Sequence, residues 1–308
     1  MDKRRSARSL YLQVAFAAAV WGGAYPFTKR LVAELSPLSI VTFRALVGTL
    51  LLLALSGSRL KASDFRPSVL GKLLVMSVLG VSSQQFLQAY ALKYTLASHA
   101  GWLIASTPIM VAALAAVLGE RVGPYKLAAF ALGSAGTALV VLSRGGASAF
   151  GLPATRGDLV FLATCLSWAF YVMCAKRWLT AWPAAKATSA TMLVALATLL
   201  PLWAFSGGPA EFAAVSARGW VSLGYLGVLS SALGYLFWNN AVEGLGPVKT
   251  SYFIYLEPFA TLLSAYLLLG ERATAAAFAG GLLILGGVYL VGRRDGRKVE
   301  LKGASANA

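Results

Sequence analysis

The sequence predicts an all-α membrane protein, with ten transmembrane helices arranged as two inverted five-helix repeats around a central cavity. Three observations carry this. The 308 residues are 58% hydrophobic and only 12% charged, about half the charged share of soluble domains. Apolar runs recur from about residue 10 to about residue 292, and landmarks of one half return in the other. Ten spans of about 20 residues leave room only for short loops and tails. Outer-membrane strands alternate apolar and polar positions, whereas Leu46 to Leu55 and Leu132 to Leu142 read apolar on every face. The runs are therefore helices.

The first span, 10–27, follows the basic stretch Lys3, Arg4, Arg5 and Arg8. That opening imitates a secretory signal, but the run is long enough to span and the segments after it are equally apolar, so it is read as retained. Spans 38–57, 70–91, 98–118 and 125–143 complete the first half, each bounded by Gly, Pro or charged punctuation such as Arg66-Pro67 and Gly119-Glu120-Arg121. The second half holds 158–176, 187–205, 220–241, 248–269 and 274–292, before a basic tail that opens with Arg293 and Arg294. With the N-terminus inside, nineteen lysines and arginines fall on the inner face and seven on the outer. The positive-inside rule then places both termini in the cytoplasm. The net charge of +16 is accordingly assigned to topology and the anionic leaflet rather than to nucleic acid. Cys165 and Cys174 stand nine positions apart on one helix, about 13 Å, too far for a disulfide.

The internal repeat organises the chain. Pro108 and Gly119-Glu120-Arg121 recur as Pro258 and Gly270-Glu271-Arg272, 150 and 151 residues later, and Trp21 recurs as Trp168. Five spans per copy is an odd number, so the second copy starts from the opposite face and the halves are inverted, a plan that recurs in secondary transporters. The expected units are 1–148, 149–292 and a basic tail 293–308.

Trp21-Gly22 in the first span, Phe43-Arg44 in the second and the doubled Pro and Gly-Glu-Arg landmarks resemble EamA-type members of the drug/metabolite transporter superfamily over essentially the whole chain. The resemblance implies residence in a bacterial cytoplasmic membrane and cavity walls built from spans one, three, four, six, eight and nine. It also implies export of small amphipathic metabolites, with aromatic amino-acid exporters the nearest likeness.

Polar groups inside apolar spans mark candidate substrate paths. Gln84 and Gln88 are four apart on one face, with Gln85 turned about 100° away; paired amides suit an ammonium and a carboxylate, or an interhelical hydrogen bond. His99, Trp102 and Ser106 form a helical stripe, and Trp168 pairs with Tyr171. The repeat offset of 150 relates Trp102 to Tyr252 and Gln88 to Trp238. These aromatics either sandwich an apolar side chain or sit in the interfacial belts. His99, the single histidine, and Glu257, the one acidic residue expected in a span interior, are the candidate coupling groups; Glu257 could equally pair structurally with Arg44 or with Ser251, Thr250 or Thr261. Pro108 and Pro258, which free the carbonyls of Ile104 and Ile254, are candidate hinges. The Gly-Glu-Arg motifs are read as helix stops, not site residues.

The expected activity is secondary transport of amino acids with aromatic or apolar side chains by alternating access, with drugs or nucleosides as the alternative cargo. One histidine supports no zinc site and no His-Glu-x-x-His enzyme, and Gly71-Lys72-Leu73 is not a phosphate loop. No metal, cofactor, catalytic residue or nucleic-acid partner is expected. An intramembrane enzyme or a receptor is the remoter reading, and a monomer in the bilayer is compatible with the plan.

Overall fold

Each predicted span contains helix among the residues that the computed structural model describes, 7–55, 60–117, 124–143, 152–178, 182–245, 250, 252–287 and 289–290. Among these residues helix is the only regular structure. The first helix, α1 (Ala7–Leu31), continues through Pro26, and α2 is Pro37–Leu55. The third, α3, runs as Pro67–Ser77, a π-helical stretch Val78–Ser82 and Ser83–Leu92. The fourth predicted span is broken into α4 (Ala97–Ile104) and α5 (Thr107–Val117), and α6 (Pro124–Leu142) and α7 (Leu152–Trp178) follow. In α8 (Ala184–Phe205) Pro201 is again carried inside the helix. The next, α9, runs as Ala217–Gly224, a second π-helical stretch Tyr225–Gly234 and Tyr235–Leu245. A 3-10 turn, Tyr252–Leu256, leads into α10 (Glu257–Leu269), and α11 is Ala275–Gly287.

Four of these helices, α2, α3, α8 and α9, are long and apolar enough to cross a bilayer. Leu50, Leu159, Leu202, Leu263 and Leu267 are each more than half exposed, an outward apolar surface that water would not tolerate but acyl chains would. Arg44, Gln84, Gln85, Gln88, Asp158 and Glu257 are buried.

The helices pack in reciprocal fashion. α1 lies against α9 and α10, α7 lies against α3, α4 and α5, and α2 packs on both α8 and α9. Small residues permit the closest approaches. A Cβ on Gly280 would stand 2.7 Å from the Gly136 carbonyl, which brings α11 onto α6. Gly22 of α1 is pressed against the Glu257 carbonyl of α10, and the Thr261 hydroxyl donates to both Gly22 O (2.9 Å) and Glu257 O (2.8 Å).

One end of the bundle is stitched by side chains. Glu34 accepts from Ser216 N and Oγ, both at 2.8 Å, and Glu211 accepts from Ser36 N at 2.7 Å. At this end Gly270 closes α10 with φ of 67°, a conformation suited to glycine. Glu271 then reaches α4, accepting from Ala97 N (3.2 Å), Ser98 N (3.0 Å) and Ser98 Oγ (3.1 Å), with Lys29 Nζ at 3.8 Å. The motif expected only to stop a helix thus also satisfies the open N-terminus of another. Its first-half counterpart, Gly119-Glu120-Arg121, lies outside the described residues. At the opposite end Lys186 Nζ donates to Asp64 Oδ1 at 2.7 Å.

Candidate functional site

Trp21 is the pivot of the interior. It sits midway along α1, and its indole N–H donates to Ser230 O at 3.0 Å in the second π-helical stretch, a carbonyl made available where the α-helical ladder is interrupted. Its ring meets Tyr235 at 5.2 Å and Trp238 at 5.1 Å, spacings at which aromatic rings attract. Across the interior, Trp168 and Tyr171 pair at 4.8 Å. The Tyr171 ring is seated on Gly80, where a Cβ would stand 2.6 Å from ring carbon Cε2, and it lies within electrostatic reach of Tyr235. All five aromatics are half-buried.

The amides of α3 complete this surface. Gln84, Gln85 and Gln88 are all buried. Gln85 approaches the Tyr235 hydroxyl, and its Oε1 is fully enclosed without a partner. Gln84 and Gln88 make no hydrogen bond to another described residue, yet their polar atoms are not among the fully enclosed ones. Buried amides are ordinarily satisfied, so these two present unused donors and acceptors to accessible space.

Two ionisable side chains flank the aromatics. Arg44 of α2 donates through Nε to Ser231 Oγ and through an Nη to Ser230 Oγ, both at 3.3 Å, while Glu257 accepts from the Tyr25 hydroxyl at 3.2 Å. The two do not form an ion pair with each other, and the expected hydroxyl partner Thr261 bonds backbone carbonyls instead.

Other predicted residues lie elsewhere. His99 is buried near the stitched end, with Nδ1 3.2 Å from Asp158 Oδ2 and Nε2 3.3 Å from Ser143 Oγ. Asp158, expected at a span edge, is fully buried, because α7 begins at Leu152 and carries it inside; its other oxygen accepts from Thr95 Oγ1. Glu257 is therefore not the only acid in a helical interior. Trp102 is completely enclosed in the apolar core, against Phe259, Phe278 and Gly281, with its indole N–H unpaired. The His99, Trp102, Ser106 stripe is interrupted because the helix breaks at 105–106, and Ser106 Oγ turns back to Leu103 O at 2.6 Å. The side chain of Tyr252 lies outside the described residues. Pro108 and Pro258 each stand second in a helical segment, just after the breaks at 105–106 and 252–256, where proline has no N–H to bond back across the break.

Trp21, Tyr25, Tyr235 and Asp158 were not among the candidates. For Trp21 a signal existed, since it is the repeat counterpart of Trp168. Among the described residues no group of three His, Cys, Asp or Glu side chains gathers to hold a metal.

An outward apolar surface around an interior that holds half-buried aromatics, buried amides and two buried charged side chains defines a multi-pass helical membrane protein. Comparison with known proteins gives the class a family. The model of the EamA-like transporter family matches twice, at residues 8–142 and 155–293. The chain belongs to the EamA-like transporter family and is a membrane transporter, not an enzyme. It is 31% identical to a probable terminal-alkyne amino-acid exporter of Streptantibioticus cattleyicolor over 80% of this chain and 82% of that one. It is 28% identical to an uncharacterized transporter of Archaeoglobus fulgidus over 91% of this chain and 96% of the relative. A solved crystal structure shares the fold with a TM-score of 0.62 at 20% identity, covering 94% of this chain and 99% of the other.

Proposed function

We propose that this transporter exports small amphipathic metabolites, foremost amino acids with aromatic or apolar side chains, by alternating access between two inverted five-helix units, 1–148 and 149–292. The observation that carries the reading is the half-buried aromatic set Trp21, Trp168, Tyr171, Tyr235 and Trp238 beside the unbonded amides of Gln84 and Gln88. Rings bind an apolar side chain and amides bind either end of a backbone-like head group. The two family-model matches and the reciprocal packing of α1 on α9 and α10, and of α7 on α3, α4 and α5, support the inverted repeat. The name of the Streptantibioticus relative supports amino-acid cargo.

The excess of basic residues on the Asp64 side supports a cytoplasmic location for that end and for both termini, in a bacterial cytoplasmic membrane. The stitched end would then face outward. Breaks at 105–106 and 252–256, just before Pro108 and Pro258, supply the hinges. Of the two coupling candidates, His99 is held by Asp158 and Ser143, which leaves Glu257 beside the aromatic site.

The test is efflux from proteoliposomes loaded with a panel of labelled amino acids, nucleosides and cationic drugs, with and without a pH gradient. Efflux of aromatic or apolar amino acids that falls about tenfold in Trp168→Ala and Trp238→Ala, as the loss of a ring contact predicts, is the expected result. Movement of nucleosides or drugs alone would replace the cargo, and rates unchanged by Pro108→Ala with Pro258→Ala would remove the hinges.

A further inference from the structure

Arg44 and Glu257 are each 5% exposed, on helices read as membrane-embedded. Charged groups in such places are costly unless paired, and a guanidinium has five donors to satisfy. Here neither group meets an opposite charge within ion-pair distance among the described residues. Arg44 spends only two donors, on serine hydroxyls at 3.3 Å, long for charge-assisted bonds. One Nη of Arg44 and one oxygen of Glu257 carry no hydrogen bond, and neither is among the fully enclosed polar atoms. Each group thus keeps unused bonding capacity directed at accessible space.

Their placement relates them to one surface. Arg44 reaches Ser230, whose carbonyl holds Trp21; Glu257 holds Tyr25. Trp21 and Tyr25 are four apart on α1, hence one above the other on the same face, about 6 Å along the axis. Tyr25 and Tyr235 both lie within electrostatic reach of both charged groups. A positive and a negative pole therefore both lie near the Trp21–Tyr235 ring pair, beyond ion-pair distance of each other. Two groups serving only each other would have closed that gap.

We propose that Arg44 and Glu257 are the two poles of a zwitterion site, the guanidinium holding the α-carboxylate of an amino acid and the Glu257 carboxyl its α-ammonium, with the side chain laid on the aromatic rings. This rests on the amino-acid reading above and adds the residues that recognise the head group. A zwitterion bonded at each end at about 2.8 Å needs poles held apart, and guanidinium is the side chain suited to a carboxylate.

The experiment is tryptophan-fluorescence titration of the full-length protein in nanodiscs with L-phenylalanine, with phenylalaninamide, which lacks the carboxylate, and with 3-phenylpropionate, which lacks the ammonium. Wild type binds phenylalanine about 10- to 100-fold more tightly than either analogue, the range for one charged hydrogen-bonded contact. Arg44→Gln abolishes the preference over the amide alone, and Glu257→Gln abolishes the preference over 3-phenylpropionate alone. Arg44→Lys, which keeps the charge, retains part of it. Wild type binding both analogues as tightly as phenylalanine would overturn the proposal without any variant having to fold. Variants that weaken phenylalanine and both analogues equally would overturn it too, leaving amino-acid export intact. If wild type binds no amino acid at all, the export reading fails first and the poles with it.

Discussion

Removing the Glu271 carboxylate should loosen the stitched end by a calculable amount. Glu271→Ala leaves Ala97 N and Ser98 N at the start of α4 without their acceptor, removes the acceptor of Ser98 Oγ and takes away the carboxylate beside Lys29, which keeps its bonds to the Leu92 and Thr95 carbonyls. Loss of a helix cap costs about 1 kcal/mol, and loss of a negative charge at a helix N-terminus about 0.3–1 kcal/mol more. The Lys29 contact, at 3.8 Å with a quarter of the lysine side chain exposed, adds at most about 1 kcal/mol. The total is about 1.3–3 kcal/mol. For a chain of 308 residues, unfolding entropy of about 2 cal/mol/K per residue converts this to a melting temperature lower by about 2–5 °C. Glu271→Gln keeps an acceptor oxygen while losing the charge, and should lose about half as much. Thermal unfolding of the purified protein in detergent, followed by tryptophan fluorescence, reads both variants. An unshifted melting temperature for Glu271→Ala would refute the assignment of this carboxylate as the cap of α4.

Three further outcomes follow from the same packing. Gly22→Ala drives a Cβ into the fixed Glu257 carbonyl and should cost about 1–3 kcal/mol or more, whereas Gly71→Ala, with nothing within 4 Å, should be stabilising by about 0.5–1 kcal/mol; equal melting temperatures would sink this contrast. Asp158→Asn removes the buried carboxylate that meets His99 Nδ1 and Thr95 Oγ1 and should cost about 1–3 kcal/mol, read as lost monodisperse yield in size-exclusion chromatography, with normal yield counting against a structural role for this contact. Lys186, with the Lys61 backbone N–H, holds the Asp64 carboxyl below its ordinary value. Its contribution is in place above about pH 4 and is lost as pH falls through the lowered folded value. Asp64→Asn should therefore melt below wild type at neutral pH and converge with it in acid; a gap that persists in acid would contradict this.

Much of the fold was legible because hydropathy reports burial in lipid directly. Among the described residues each predicted span contains helix, the fourth broken at 105–106, with ends displaced where helices run on through a charged residue, as α7 does past Asp158. Charge reads as an edge in a hydropathy profile, and the partners that make Asp158 tolerable, Thr95 and His99, come from another part of the chain. The candidate site proposed above was partly legible. Trp168 with Tyr171 and the buried Gln84 and Gln88 follow from composition and helical spacing. Trp102 did not join them, because the repeat offset relates positions along the chain and not the rotation of each helix about its axis. Tyr235 left no signal in an apolar run.

The π-helical stretches at 78–82 and 225–234 make direction and length separate variables in these two helices. Bonding one residue further along the chain accommodates an extra residue per turn, and each residue is worth about 100° of phase. Shortening 225–234 by a single residue would leave the hydropathy profile and the loops unchanged, yet it would swing Tyr235 and Trp238 away from Trp21. In such a helix an insertion or deletion re-aims side chains more than it moves them, so relatives of nearly identical length can line the same path with different faces.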